Sequence, residues 1–176
     1  MAEELFDVVD ADDCVIGVAP RSEVHARLWW HRAVHIFVRN SRGDLLIHRR
    51  SATKVQYPLC WTSSASGHLA AGEDYGPAAE RELLEELGIC SPLRFVAKFP
   101  ASPEMCYEHT VLYETVTDTV PTFDPGEIEH GEYLPLSTIA ARIGANPDDY
   151  SPCFRTIFAW YQAQPSSGFS SSSEPV

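Results

Sequence analysis

The sequence has few basic residues and no long hydrophobic run. Its 176 residues include 13 Lys and Arg against 25 Asp and Glu, which gives a formal net charge of −12. This shortage of positive charge argues against binding to a nucleic-acid backbone as the main activity, because such binding relies on Lys and Arg to displace counterions. No apolar run approaches the length of a membrane span. We therefore expect neither a nucleic acid nor a membrane as a partner.

The cysteines follow no pairing pattern. The five are Cys14, Cys60, Cys90, Cys106 and Cys153. An odd, scattered set without a CxxC pair suits a reducing compartment better than a disulfide framework. The N-terminus is acidic and lacks an apolar core, so it does not resemble a signal peptide. These observations together predict a cytoplasmic location.

The composition is typical of one globular domain. Hydrophobic residues make up 44% of the chain, whose length is enough for a full core in a single domain. Residues 165–176 are rich in Ser and Pro, a composition typical of disorder. We therefore expect a single domain over residues 1–164, followed by a disordered tail.

Segments typical of strands and of helices alternate along the chain. Short apolar runs bounded by turn residues predict strands at 5–10, 14–18, 33–39, 45–50, 93–99, 107–114 and 131–134. Helices are expected around His25, in the second half of 67–89, at 137–143 and at 151–162. Strand and helix signals therefore lie on both sides of residues 67–89.

The second predicted helix carries three carboxylates on one side. At about 100° per residue, Glu82, Glu85 and Glu86 fall within an arc of roughly 100°, apart from the apolar side. Clustered carboxylates repel one another unless a cation neutralises them, and hard divalent cations such as Mg²⁺ prefer oxygen ligands. A solvated acidic face is the alternative reading. A metal-binding face is favoured because Arg81 lies among the acids and Glu73 precedes the helix as its possible partner.

The motif around this helix resembles the Nudix box, G-x5-E-x7-R-E-U-x-E-E-x-G-U, in which U is a bulky aliphatic residue. All nine specified positions are met, by Gly67, Glu73, Arg81, Glu82, Leu83, Glu85, Glu86, Gly88 and Ile89. On this motif the chain is identified as a member of the Nudix superfamily. The resemblance implies an α/β/α sandwich with a mixed sheet. It also implies an attack on a diphosphate linkage that depends on Mg²⁺ or Mn²⁺.

The resemblance implies roles for the charged residues of the box. Glu82, Glu85 and Glu86 would hold the metal ions. Glu73 would pair with Arg81, and this pair would orient the helix rather than bind the metal itself.

The residue that activates water is left open by the resemblance. Box glutamates such as Glu82 or Glu86 serve in some relatives, and a glutamate from a later loop serves in others. Glu127 is the best later candidate, because it precedes a short predicted strand. An ordinary exposed loop acid is the alternative reading of Glu127.

The densest group of basic residues lies just upstream of the box. Arg49, Arg50 and Lys54 follow one another closely at the end of a predicted strand. We expect them to bind phosphate oxygens of a small-molecule diphosphate substrate, because charge-assisted hydrogen bonds to phosphate are strong. A solvated strand end is the alternative.

The sequence flanking the box is similar to the isopentenyl-diphosphate isomerase branch of the superfamily. The similarity is carried by Arg-Arg-Ser-Ala-Thr-Lys at 49–54, Tyr-Pro at 57–58, Trp-Thr at 61–62 and Gly-His-Leu at 67–69. His31 and His68 occupy positions similar to two metal-binding histidines of the isomerase, and Glu108 resembles its catalytic, metal-binding glutamate. His25 is spaced about one residue too close to His31 for a clean match. These residues are a possible second metal site.

Two departures favour a hydrolase over an isomerase. Ser66 aligns with the catalytic cysteine of the isomerase, and a serine hydroxyl is far less acidic than a thiol and poorly suited to protonate an alkene. The isomerase branch also usually has a degenerate box, whereas this box is complete. We therefore expect a hydrolase of a diphosphate linkage in a nucleotide-type or other organic diphosphate. The alternatives are an isopentenyl-diphosphate isomerase and a non-catalytic module that binds a nucleotide or diphosphate.

The remaining histidines and aromatic residues are assigned less directly. His35 and His48 alternate with apolar residues in predicted strands, so we expect structural roles for both. Stacking on a base, lining an isoprenoid pocket and core packing are all open for Trp29, Trp30, Tyr57 and Trp61.

Overall fold

Residues 3–164, described here from a computed structural model, form two sheets and four α-helices. The tail expected at 165–176 lies outside these described residues. Strands β1 (Leu5–Val9) and β2 (Val15–Pro20) pair with each other in an antiparallel hairpin, and helix α1 (Arg21–Ala26) follows directly. The hairpin and α1 bury Phe6 and Val24 in a small core of their own.

The larger sheet has seven strands and is mixed. They are β3 (His31–Arg39), β4 (Leu45–Arg50), β5 (Trp61–Thr62), β6 (Ala65–His68), β7 (Arg94–Phe99), β8 (Glu108–Val116) and β9 (Ile128–Leu134). The strand order is β5-β4-β3-β8-β7, with β6 paired to β3 and β9 paired to β4. β3 runs parallel to β8, and the other pairs are antiparallel.

Helices cover both faces of the larger sheet. They are α2 (Tyr75–Leu87), α3 (Leu136–Ala145) and α4 (Pro152–Ala163). Because successive side chains of a strand point to opposite faces, β3 contributes to two cores. Ile36 packs with Leu83 of α2 on one side, and Phe37 packs with Phe154 of α4 on the other. This α/β/α arrangement with a mixed sheet confirms the fold class predicted from the sequence.

The ends of α2 are set by its sequence. Pro77 lies in the first turn, where its missing N–H costs no hydrogen bond. Asp74 occupies the N-cap position, but its side chain makes no capping hydrogen bond. Gly88 ends the helix in the left-handed conformation, with φ of 64°, as the sequence predicts.

Some observed strands are longer than expected, and β2 and β8 each end two residues later than predicted. β3 begins at His31 and β9 at Ile128, both earlier than predicted. The extra residues are polar or flank polar residues, and they pair because a neighbouring strand is available rather than because of their own propensity. In the 3–164 range, no helix combines the length and the apolar character needed to cross a bilayer.

Candidate active site

One cavity of about 410 Å³ collects most of the charged residues singled out in the sequence. Its walls come from β6, α2, the start of β8, the loop between β4 and β5, and the loop that precedes β9. Carboxylates of α2 line it. The cationic side chains of Arg50, at the end of β4, and of Lys54, in the loop that follows, line it as well. An anionic ligand that brings its own cations would match both sets of charges.

Gly67 allows β6 to lie directly against α2. A Cβ atom at this position would lie 2.0 Å from Glu82 Oε1, which is far closer than any real contact. Glycine is therefore required here for steric reasons rather than for backbone flexibility. Its absence of a side chain lets the Glu82 carboxylate reach the wall of the cavity.

Glu86 is almost fully buried below the same strand. Its Oε2 accepts a hydrogen bond of 3.0 Å from the backbone N–H of Ser66. Burial, with the neighbouring Glu82 carboxylate, raises the pKa of Glu86 well above its usual value, although the Ser66 bond opposes this effect. The cost of burying this carboxylate would be relieved by a nearby cation.

Glu82 and Glu85 differ in environment although both were predicted as metal ligands. Burial raises the pKa of Glu82 to about 7, against the opposing effect of the neighbouring Arg81 guanidinium. The Glu85 side chain is 58% exposed at the rim of the cavity. Two largely buried carboxyl groups and one exposed carboxylate offer only oxygen ligands. Such a set fits a hard divalent cation such as Mg²⁺ or Mn²⁺.

Arg81 holds the acidic residues of the box together. Its Nε and Nη2 each donate a 2.9 Å hydrogen bond to the Glu73 carboxylate, one to each oxygen. Its Nη1 reaches Glu82 at 2.6 Å and Glu85 at 3.2 Å, and its Nη2 also reaches the carbonyl of His68 at 3.2 Å. Arg81 thus contacts Glu73, Glu82 and Glu85 at once, and its own side chain also lines the cavity.

Two of the three predicted phosphate-binding residues line the cavity, and the third does not. Arg50 and Lys54 line the cavity. Arg49 is the neighbour of Arg50 in β4, and its guanidinium pairs with Glu129 at 3.0 Å and contacts the carbonyl of Leu59, outside the cavity lining. Glu127 lines the cavity and forms an ion pair with Lys54.

His25, His31 and His68 form a compact cluster beside the cavity. One ring nitrogen from each lies within 4.8 Å of the others. His68 Nε2 contacts Glu108 Oε1 at 3.0 Å, and His31 Nε2 lies 3.7 Å from the same oxygen. Among the described residues, the buried Nε2 atoms of His25 and His31 have no hydrogen-bond partner. The one-residue mismatch at His25 therefore does not keep it out of the cluster.

Burial keeps these three histidines neutral. It lowers the pKa of His25 and His31 to about 4 and that of His68 to about 3. A neutral imidazole is the form that ligates a metal. The unpartnered nitrogens and the adjacent Glu108 carboxylate together fit a second divalent cation.

His35 and His48 are bonded inside the protein, as their structural roles require. His35 Nδ1 lies 2.8 Å from Ser63 Oγ, and His48 Nδ1 lies 3.0 Å from the carbonyl oxygen of Ser64. Both rings are buried, although His35 also touches the cavity. These contacts hold the segment between β5 and β6 against the sheet.

Several lining residues were missed by sequence reasoning. Arg21, Gln56, Asp124 and Cys153 line the cavity. They come from four separate elements and share no spacing pattern, so only the fold brings them together. Of the four aromatic residues considered above, only Tyr57 lines the cavity, and its hydroxyl lies 3.6 Å from Cys106 Sγ.

The raised pKa of Glu82 predicts a pH-dependent stability in the absence of metal. The unfolded side chain ionises near pH 4.5, and the folded one near pH 7, so folding favours the protonated form. The stabilising contribution is complete below about pH 4.5 and is lost as pH rises through about 7, amounting to about 3 kcal/mol. Added Mg²⁺ should therefore raise the melting temperature more at pH 8 than at pH 5.

The measurement compares wild type with Glu82→Gln by urea unfolding in EDTA from pH 5 to 8. The buried histidines have lowered pKa values, and their contribution grows between about pH 4 and 6.5 with the opposite sign. The difference between the two proteins removes that contribution. Identical pH dependence in both proteins would show that Glu82 is ionised throughout.

The sequence is similar to known proteins over most of its length. The family model described as the NUDIX domain matches residues 29–157. A curated protein named Nudix hydrolase, from Deinococcus radiodurans, is 34% identical over 148 residues, covering 82% of this chain and 86% of its own. Isopentenyl-diphosphate Delta-isomerase 2 from Photorhabdus laumondii is 33% identical over 160 residues, covering 88% of this chain and 90% of its own.

A solved structure shows the same architecture. The crystal structure of DR0079 from Deinococcus radiodurans is similar with a TM-score of 0.74 at 35% sequence identity, covering 81% of this chain and 90% of that chain. Similarity therefore extends well beyond the acidic helix, to most of the residues described here.

Proposed function

The chain belongs to the Nudix family and is a Nudix hydrolase, and we propose that it uses Mg²⁺ or Mn²⁺ to cleave a diphosphate linkage in a nucleotide-type or other polar organic diphosphate. The observation that carries this proposal is that one cavity is lined by both kinds of charge. Glu86 is buried and Glu82 largely so, and Arg50 and Lys54 are the cations that line the same cavity. Such a site suits a substrate that is anionic and arrives with divalent cations.

Glu82, Glu85 and Glu86 would hold the metal. When bound, the divalent ion supplies charge neutralisation for the diphosphate and a template for in-line attack by water. Arg81 keeps two of these carboxylates in place through the contacts described above. The Ser66 backbone N–H orients the third.

Phosphate binding and proton acceptance would fall to residues outside α2. Arg50 and Lys54 would bind the phosphate oxygens, because both reach the cavity. Glu127 would accept the proton of the attacking water, because it lies at the cavity and is not committed to the carboxylate cluster of α2. Glu82 and Glu86 are the other candidates for this role, and their burial makes them better suited to holding the cation.

The lining of the cavity favours a polar organic group on the substrate. Ala33 and Val34 are its aliphatic members among the described residues, and the rest are mostly charged or polar. A prenyl chain needs a continuous apolar wall to leave water, and two small or medium aliphatic side chains do not make one. A sugar or nucleoside would find many hydrogen-bonding groups in the lining, together with the ring of Tyr57.

Isomerisation of isopentenyl diphosphate is the second candidate function. It is favoured by the similarity to proteins named as isomerases and by the cluster of His25, His31, His68 and Glu108, which we propose as a second divalent-metal site. It is opposed by Ser66, whose hydroxyl is a poor acid for an alkene.

An assay with isopentenyl diphosphate separates the two functions. We expect no detectable dimethylallyl diphosphate, and we expect metal-dependent cleavage of a polar diphosphate ester to a monophosphate product. Product identity is read by mass spectrometry from a panel of substrates with Mg²⁺ or Mn²⁺. Ser66→Cys is the matched variant and should leave cleavage within about twofold, because only the backbone N–H of this residue contacts Glu86. Substantial metal-dependent isomerisation by the wild type would overturn the hydrolase proposal.

A further inference from the structure

Lys54 and Glu127 join two loops across the cavity. The Lys54 ammonium pairs with Glu127 Oε2, and the two side chains are 19% and 37% exposed. The backbone N–H of Ser51 also donates a 2.9 Å hydrogen bond to the carbonyl oxygen of Glu127. The loop after β4 is therefore held to the loop before β9 both by backbone and by this ion pair.

The same two residues act electrostatically on the carboxylates of α2. The Lys54 ammonium lowers the pKa of Glu86, whereas the Glu127 carboxylate raises the pKa of both Glu82 and Glu86. Lys54 is thus within electrostatic reach of Glu127 and of the wall where a diphosphate would bind. The Lys54 ammonium can therefore pair with the Glu127 carboxylate or with a substrate phosphate. Only Glu127 is present before the substrate enters.

We propose that Lys54 is a positioning residue that holds Glu127 in the free protein and transfers to a substrate phosphate on binding, which releases the Glu127 carboxylate to act as the base. This inference rests on the proposed diphosphate hydrolysis and adds an order of events to it. Before binding, Glu127 is engaged with Lys54. After binding, Glu127 is free for water.

Charge and geometry favour the transfer. An ion pair that is partly exposed contributes little to stability, so breaking it costs little. Hydrogen bonds from an ammonium group to a phosphate are charge-assisted and stronger. A lysine has three donors on a flexible stem, so it can change partners by rotation. The backbone bond between Ser51 and Glu127 keeps the loops together while the side chain moves.

The chemical step that follows is balanced without any further reactant. The water oxygen forms a new bond to phosphorus, and its proton passes to the Glu127 carboxylate. The bridging P–O bond breaks, and the leaving phosphate keeps the bridging oxygen and its electron pair. Glu127 then gives up the proton it accepted, to the leaving phosphate or to solvent. Lys54 keeps its own proton throughout and returns to the ionised Glu127 when the product leaves.

The test is a double-mutant cycle on binding, with methylenediphosphonate as the non-hydrolysable probe and saturating Mg²⁺ present to neutralise the carboxylates of α2. Lys54→Met should raise the dissociation constant about tenfold, because a charge-assisted contact is lost. Glu127→Gln should lower the dissociation constant by about threefold to tenfold, because Lys54 no longer has to leave a carboxylate. In the double variant the affinity should equal that of Lys54→Met. Calorimetry gives all four constants.

Two further measurements separate this role from a merely structural one. Glu127→Gln should lower KM and lower kcat together in the metal-loaded enzyme, because binding improves while the base is lost. Glu129→Gln is the matched control, since Glu129 pairs with Arg49 outside the cavity. It should leave the affinity for the probe within about twofold of wild type.

The inference fails if Glu127→Gln tightens binding equally with and without Lys54, because the effect would then be simple repulsion of the anion. It also fails if Glu127→Gln changes nothing, because the bridge would then persist in the complex. In both cases the wild type binds the probe and the proposed function stands. A wild type that does not bind the probe, with or without Mg²⁺, overturns the proposed function together with this inference.

Discussion

Replacing Glu86 with Gln is expected to lower turnover by about 100-fold or more while the fold stays intact. A neutral amide is a poor ligand for a hard divalent cation, so the metal would be held weakly. Steady-state kinetics at saturating Mg²⁺ give the loss, and a metal titration shows whether added Mg²⁺ recovers part of it.

The structure explains why the fold should survive. The amide oxygen of Gln can still accept the hydrogen bond from the backbone N–H of Ser66. In wild type the carboxylates of Glu82 and Glu86 repel each other. The NH₂ group of Gln at position 86 removes this repulsion and can donate a hydrogen bond to Glu82. In EDTA at pH 8, Glu86→Gln should therefore melt at the same temperature as wild type or higher, because a buried charge has been removed.

Glu80 supplies the control on the same helix. It is exposed and lies outside the cavity lining, so Glu80→Gln removes a charge of the same kind without touching the site. Its turnover should stay within about twofold of wild type. A folded Glu86→Gln protein with turnover as high as that of Glu80→Gln would remove Glu86 from the candidate site.

The acidic helix is the part of the molecule that sequence predicts best. Its boundaries depend on local signals, namely Pro77 in the first turn and the left-handed Gly88 at the end. Its buried face depends on helical periodicity alone. Periodicity places Glu82, Glu85 and Glu86 on one side, but it does not say how deeply each is buried. That depth is set by β6, which covers two of them and leaves Glu85 exposed at 58%.

The basic residues that line the cavity were harder to predict than the acidic helix. Arg49 and Arg50 are neighbours in a strand, and successive strand residues point to opposite faces. Composition alone favours both as phosphate ligands, whereas the fold gives the cavity only Arg50 and pairs Arg49 with Glu129. Which face is the cavity face depends on the pairing of β4 with β9, a contact between residues about 85 positions apart.

The Lys54–Glu127 pair was beyond sequence reasoning for a related reason. Both residues were predicted to be functional, one for phosphate and one for water. Their mutual contact comes from two loops that meet only after the sheet has formed. Loop geometry of this kind has no periodic signal, so a sequence can suggest the partners of a substrate without revealing that those partners bind each other first.

Replacing Arg81 with Ala is expected to damage stability and activity together. The guanidinium makes a two-point contact with Glu73 and further contacts with Glu82, Glu85 and the carbonyl of His68. Its loss would leave several carboxylates without their cation. Because the Arg81 side chain is 32% exposed, the expected loss is about 2–3 kcal/mol, below the value for a fully buried pair.

That loss should lower the melting temperature by about 5–10 °C for a domain of this size. Arg81→Lys should recover less than half of it, because an ammonium group does not reproduce the two parallel bonds to Glu73. Arg142→Ala is the matched control. It breaks a single-carboxylate pair with Glu132 on the surface and should cost about 1 kcal/mol or less.

Comparing Arg81→Ala with Arg142→Ala separates positioning from general charge effects. If Arg81 only adds positive charge to an acidic protein, the two variants should lose similar stability and similar activity. If it positions the carboxylates, Arg81→Ala alone should also weaken the binding of Mg²⁺, because Glu82 and Glu85 lose the group that orients them. An unchanged melting temperature for Arg81→Ala would mean that the contacts of Arg81 with Glu73 and Glu82 add nothing to the folded state.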